Sequence, residues 1–298
     1  MRYRRRGGLS LTRLASGLAV LLVSGCGAPP IDRPSAVSVE GDQEVMQRIK
    51  QDPVEFLEEA LAKARELKQF RAEFHRQERL GLLGVLHPRE RMTAEYRAEP
   101  LSIRFTWLDK DSEYQQAAYV AGQYADKVLL LARVGLLGLP PAVEKFPPAW
   151  AALFGKAKFP ITDFGPKRLM EKTLARIEAA KACGKVKITL KDPRLIGPLK
   201  EPCFHLELRY PPGDKFVTKL QDLYIHTETR LPVATFLWLP GKDERSSATL
   251  DAMYQYVGLD PNVKLTGSEF IIDADKQKPA KQPQREAGKT ASAAKGEP

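Results

Sequence analysis

Cysteine is scarce. The 298 residues hold three, Cys26, Cys183 and Cys203, too few for a small domain stapled by disulfides. The four histidines, His75, His87, His205 and His226, fall at no zinc-binding spacing. No Gly-x-Ser-x-Gly elbow marks a hydrolase nucleophile. Gly288-Lys289-Thr290 ends like a phosphate-binding loop, but Pro283 stands where that loop needs glycine. Gly81-Leu82-Leu83-Gly84 is a turn rather than a dinucleotide fingerprint. The sequence therefore implies no metal, nucleotide or other cofactor. Long apolar runs are missing as well. The run at 14–23 is about ten residues, too short to cross a bilayer, which excludes a polytopic membrane protein.

Charge of one sign is also missing from the middle of the chain. The formal net charge is +10, of which +5 lies before Cys26 and +3 after Ala274. The body therefore carries only +2, too little for the basic footprint of a nucleic-acid-binding domain. What is present is an ordinary globular composition, 43% hydrophobic and 28% charged, with 23 prolines and 21 glycines. So many turn formers point to short strands rather than long helices.

The N-terminus reads as an address. Arg2, Arg4, Arg5 and Arg6 precede the apolar run Leu14 to Val23, the layout of a secretory signal peptide. The run ends in Val23-Ser24-Gly25-Cys26, which resembles the lipobox of bacterial lipoproteins. That resemblance implies cleavage before Cys26 and acylation of its sulfur, with enough acyl chain for stable membrane attachment. Gly27, where an aspartate would retain an enterobacterial lipoprotein at the inner membrane, favours the outer membrane, with the protein facing the periplasm. The expected layout is a signal peptide at 1–25, the lipidated cysteine and a flexible tether at 26–41, one domain at 42–274, and a disordered Lys/Pro/Ala-rich tail at 275–298.

Within the body the apolar period alternates between helix and strand. Asp52-Pro53 opens a helix carrying Leu57, Leu61, Ala64 and Leu67. The period then drops to two: Phe70, Ala72 and Phe74 alternate with Arg71, Glu73 and His75, and this places His75 on a polar surface. Met92, Ala94 and Tyr96 follow on a second strand, and Leu101, Ile103, Phe105 and Trp107 on a third. Tyr114 to Ala121 and Lys127 to Arg133 read as two more. Residues 134–160 combine Leu136, Leu137, Leu139, Phe146, Trp150 and Phe154 with five prolines. This is too apolar for a solvated loop and too broken for a strand, and reads as a covering flap with a short helix near 149–155. Gly165-Pro166 opens a second helix to about Cys183. Strands are expected near 185–190, 203–210, 217–227, 232–239 and 248–257, giving about ten antiparallel strands and two main helices, an α+β pattern.

The motifs occur in a recognisable order. Phe70, Phe74, Gln77, Glu78 and Arg79 precede a glycine turn. Pro100-Leu101-Ser102-Ile103, Trp107, Tyr119-Val120 and Gly122 follow. Then come Pro160-Ile161-Thr162, Gly165, Leu231-Pro232-Val233, Tyr254-Gln255-Tyr256, Asn262-Val263 and Leu265. Over roughly residues 55–273 this resembles an uncharacterised family of exported bacterial proteins related to the LolA/LolB-like carriers of lipoproteins and lipids. The resemblance implies a strongly curved antiparallel sheet, an incomplete barrel, with helices across its open concave side. It transfers no catalytic residue. The flap at 134–158 departs from it, being richer in apolar residues and proline.

On that fold the candidate cavity residues are Phe74, Tyr96, Ile103, Phe105 and Trp107. They are either a filled core or the wall of an apolar pocket. Leu82, Leu83, Leu136, Leu137, Leu139 and Trp150 are candidates for a flap or membrane contact, because leucines on a hairpin tip or loop are hard to bury. Glu73, Glu78, Glu90 and Glu95 lie on strands with Arg71, Arg76, Arg79 and Arg91, which reads as cross-strand ion pairs on a solvated face. Cys183 and Cys203 are the pair left for a disulfide. Hairpin register sets Cys203 opposite Thr189 or Leu190 and Cys183 about 20 Å away, against a bridge. Two functions remain open. One is an anchored, non-catalytic carrier holding an acyl chain, lipid or lipoprotein. The other is an envelope scaffold with a filled core whose basic tail contacts cell wall or anionic lipid. A third, a hydrolase, would need two carboxylates, or a histidine and a carboxylate, inside the concavity.

Overall fold

The computed structural model describes residues 35–36, 43–134, 141–213 and 216–272. The signal peptide, Cys26, most of the tether, Leu136, Leu137, Leu139 and the tail lie outside the described residues. In chain order the elements are β1 (Ser35–Ala36), α1 (Gln43–Gln51), α2 (Pro53–Glu66), β2 (Gln69–Leu80), β3 (Val85–Leu86), β4 (Glu90–Arg97), β5 (Ser102–Trp107), β6 (Tyr114–Val120) and β7 (Val128–Ala132). There follow β8 (Val143–Phe146), α3 (Trp150–Leu153), α4 (Pro166–Cys183), β9 (Lys187–Ile196), β10 (Glu201–Arg209), β11 (Leu220–His226), β12 (Pro232–Trp238) and β13 (Leu250–Asp260).

Local chemistry explains the helix starts. Asp52 caps α2, its Oδ1 accepting from the amides of Val54 at 3.0 Å and Glu55 at 2.9 Å. Pro53 occupies the first turn, where no amide donor is needed. Pro166 does the same for α4, after Gly165 at φ 111°.

All strands join one antiparallel sheet in the order β1-β9-β10-β11-β12-β13-β2-β4-β5-β6-β7-β8, with β3 paired to β2. The sheet does not close, and β1 and β8 are its edges. Ser35 and Ala36 of the expected tether form the outermost strand, opposite Leu195 and Arg194. The register lines up one face: Phe70 opposes Tyr96, Phe74 opposes Met92 and Arg76 opposes Glu90. Met92 opposes Trp107, and Ala94 opposes Phe105. Tyr256 opposes Phe74, and Tyr254 opposes Arg76.

Two apolar clusters lie under the helices. Phe204, Leu206, Leu208, Leu223 and Ile225 of β10 and β11 pack against Ile49, Phe56, Leu57, Met170 and Ile177. Phe70, Phe74, Tyr96, Ile103, Phe105 and Trp107 pack with Phe164 and Tyr256. Leu169 of α4 touches both clusters. An 18-residue helix is about 27 Å long. For it to reach both halves of so wide a sheet, the sheet must wrap around it.

The other face is less solvated than simple alternation predicts. Every residue of β12 is buried, because Cys203, Tyr224, Phe236, Trp238 and Met253 form a third cluster there. The same effect corrects the reading of His75. It is 4% exposed, and its Nε2 lies 2.7 Å from Glu73 Oε1. The register expected for Cys203 is also corrected. Cys203 is buried on β10 opposite Arg194, four residues beyond the expected register, whereas Cys183 is exposed at the far end of α4. No bridge joins them.

A covered apolar cavity with a charged wall

Between the sheet and the segment 146–165 lies a cavity of about 160 Å³. Of the five sheet residues singled out by sequence, Phe74, Phe105 and Trp107 line it. Tyr96 and Ile103 do not. They are packed beneath, with the Tyr96 ring stacked on Phe70 at 4.9 Å and Ile103 fully buried. Parity alone cannot distinguish lining from packing, because that is decided by what lies above each side chain.

The roof is the flap. Phe146, Pro147, Pro148, Trp150, Ala151, Phe159 and Pro160 all face the cavity. Prolines suit this position because they cover apolar surface without leaving an amide donor unpaired. Trp150 is stacked on Phe146 at 4.2 Å. The expected short helix is α3, and β8, at the flap's start, pairs with β7. Polar contacts tie the roof to the sheet and to α4: the Lys158 amide donates to Glu78 at 3.3 Å, and Lys172 pairs with Asp163 at 2.8 Å and lies over the Phe159 ring. Lys156 reaches Glu113 at 2.9 Å, and Lys158 reaches Asp251 at 2.7 Å. An exposed pair such as the first contributes little.

One wall is charged, which sequence reading placed on a solvated face. Arg76 and Glu78 share parity with Phe70, Ala72 and Phe74 on β2, and so face the cavity. Arg76 donates to Glu90 Oε2 from Nε at 2.9 Å and from Nη2 at 2.5 Å. Trp107 Nε1 donates to the other Glu90 oxygen at 2.9 Å. Glu78, 4% exposed, accepts from the Tyr254 hydroxyl and lies 3.8 Å from Arg76 Nη1. Burial pushes the Tyr254 hydroxyl well above its usual range, and the Glu78 carboxylate pushes it further, so it stays a donor. Burial alone would lower the Arg76 guanidinium, but Glu78 and Glu90 outweigh this and raise it. The signal that could have found this wall is the even spacing of Arg76, Glu78, Tyr254 and Tyr256 along β2 and β13.

A histidine and a carboxylate do meet, but on the opposite face. His205 Nε2 lies 2.8 Å from Asp222 Oδ1. Asp222 also accepts from Trp238 Nε1 and from Arg245, each at 2.8 Å to Oδ2. Burial alone would raise the Asp222 carboxyl, but the hydrogen bonds from Arg245 and His205 hold it down at about 2. This network lies outside the concavity, and in it His205 Nδ1 is buried without a hydrogen-bond partner. Among the described residues no group of three His, Cys, Asp or Glu side chains could hold a metal ion.

The hairpin tip meets the flap. Leu82 and Leu83 are almost fully exposed, as are most of Leu153 and Phe154 at the end of α3. Gly155, at φ 64°, lies against Gly81, so that a Cβ there would sit 3.6 Å from the Gly81 nitrogen.

The fold and site define an open antiparallel half-barrel with a covered apolar cavity. The chain belongs to the DUF1571 family, described as a protein of unknown function, whose model matches residues 67–279. No curated protein matches it. Among solved structures it is similar to MucB at 14% identity and a TM-score of 0.43, covering 74% of this chain. The chain spans 63% of the length of MucB. It is also similar to the Mycobacterium tuberculosis lipoprotein LppX, at 12% identity and a TM-score of 0.39, covering 72% of this chain and 98% of that one. A third similar structure is a LolA superfamily protein from Nitrosomonas europaea, at 9% identity and a TM-score of 0.24, covering 73% and 96%.

Proposed function

We propose that this protein is a non-catalytic, envelope-anchored lipoprotein that holds an acyl chain between its sheet and its flap. The observation that carries the reading is the covered apolar cavity lined by Phe74, Phe105, Trp107 and Trp150. Burial supplies the affinity, at about 0.8 kcal/mol per methylene removed from water. The cavity of about 160 Å³ compares with an engineered cavity of about 150 Å³ that takes benzene. The cavity as it stands therefore fits a group of ring size. Lipidation of Cys26 would hold the domain at a membrane, with Gly27 favouring the outer one. The exposed tips Leu82, Leu83, Leu153 and Phe154 would face lipid.

The test is native mass spectrometry of the Cys26→Ser chain purified from cells, with solvent extraction of any ligand. A stoichiometric acyl-bearing molecule supports the carrier. A clean apo mass, with no uptake of added fatty acid or glycerolipid, supports the scaffold instead. One observation favours that second reading: the rings of Phe70, Phe74, Phe105, Phe164 and Tyr256 form one contiguous cluster, with neighbouring centroids 4.8–6.2 Å apart.

A further inference from the structure

The charged wall has a polarity that an acyl carrier does not need for holding hydrocarbon alone. Arg76, half-buried, lies against two carboxylates. Glu90 engages its Nε and Nη2 edge at 2.9 and 2.5 Å. Glu78 faces Nη1 at 3.8 Å, beyond hydrogen-bond range. Glu78 instead accepts from the Tyr254 hydroxyl and, at 3.3 Å, from the Lys158 amide of the flap. The nearby lysines cancel against their own partners, Lys156 with Glu113 at 2.9 Å, Lys158 with Asp251 at 2.7 Å and Lys172 with Asp163 at 2.8 Å. The wall beside the aromatic lining is thus one guanidinium between two carboxylates, with net charge −1 and one donor edge turned toward an acceptor it does not reach.

We infer that Arg76 Nη1 is the polar anchor of the cavity and selects the neutral acyl ester of a glycerolipid over a free fatty-acid anion. The inference rests on the acyl-binding reading above. An ester carbonyl offers an uncharged acceptor to Nη1 while its chain lies along Phe74, Phe105 and Trp107. A carboxylate would add a third negative charge around one guanidinium. Removing a buried charged hydrogen-bonding partner leaves the other unsatisfied, so the wall discriminates through its fixed charge as well as through the donor.

Calorimetric titration of the Cys26→Ser chain with decanoate and with 1-decanoylglycerol, both below their micelle concentrations, tests this. The expected result is that the ester binds about tenfold tighter or more, the scale of one charged hydrogen bond. Glu78→Gln is expected to tighten decanoate and narrow the ratio, and Arg76→Met to weaken the ester about tenfold while leaving decanoate weak. Equal affinities in the parent chain, a ratio unchanged in Glu78→Gln, or an ester affinity unchanged in Arg76→Met overturns the anchor while leaving the carrier standing. The parent ratio needs no variant to fold. Failure of both ligands to bind overturns the acyl reading and the anchor with it.

Discussion

Gly155 closes the flap onto Gly81 of the β2–β3 turn, the site of its missing Cβ 3.6 Å from the Gly81 nitrogen. Through this contact two segments about seventy residues apart in sequence present Leu82, Leu83, Leu153 and Phe154 together beside the roof of the cavity. Four apolar side chains exposed in one place suit a lipid surface better than water.

Leu82→Asp with Leu83→Asp is therefore expected to lower binding of the Cys26→Ser chain to anionic phospholipid vesicles several-fold in co-sedimentation. The melting temperature should barely change, because both side chains are already in water. Unchanged sedimentation would remove the hairpin tip from the membrane contact.

Packing and lining residues should separate under mutation. Phe70 and Ile103 are fully buried and do not line the cavity. Ile103→Ala is expected to cost about 2–5 kcal/mol, the usual range for deleting such a side chain. Trp150 sits in the roof and is only half-buried, so Trp150→Ala should cost less and speed exchange of a bound chain. Denaturant midpoints and ligand off-rates read the two effects. Equal destabilisation would mean that the flap is core rather than cover.

Asp222 gives the outer-face network a defined pH dependence. Its carboxyl stands at about 2, below the ordinary 3.8. A depressed carboxyl stabilises the fold above its unfolded value, and that contribution is lost as pH falls through the folded value. The difference is about 2 kcal/mol. Urea midpoints of the parent chain should fall between about pH 4 and pH 2. Asp222→Asn should be weaker at neutral pH and flatter across that window. A parallel slope would assign the acid loss to other carboxylates.

The cysteines give a direct check on register. Intact mass should be the same with and without reductant. Cys183, exposed, should alkylate in the native protein before Cys203, which is buried and whose thiol is pushed up mainly by burial. A two-dalton shift on reduction would contradict the observed pairing of Cys203 with Arg194.

Much of the fold was legible from periodicity and caps. Asp52-Pro53 and Gly165-Pro166 marked both long helices, and the alternation through Phe70–Phe74, Met92–Tyr96 and Ile103–Trp107 marked the face that carries the cavity. Less was legible where burial is two-sided or pairing is short. His75 looked surface-bound because its neighbours are polar, yet β13 and the outer-face packing cover it. The four-residue β8 shows no period, and α1 buries only Ile49. Arg76 and Glu78 were misread because charge was weighed before parity. Tyr96 and Ile103 have the right parity, but depth beneath Phe164 and α4 excludes them from the cavity wall.

The most direct measurement places a ligand in space. A brominated acylglycerol quenches indole fluorescence only at contact, and the three tryptophans divide between the two faces of the sheet. Trp107 and Trp150 line the cavity, while Trp238 is buried on the outer face. The account predicts strong, saturable quenching in the Cys26→Ser chain and none when Trp107→Phe and Trp150→Phe leave Trp238 alone. Absence of quenching in the parent chain, or equal quenching of Trp238, would contradict an acyl chain held between sheet and flap.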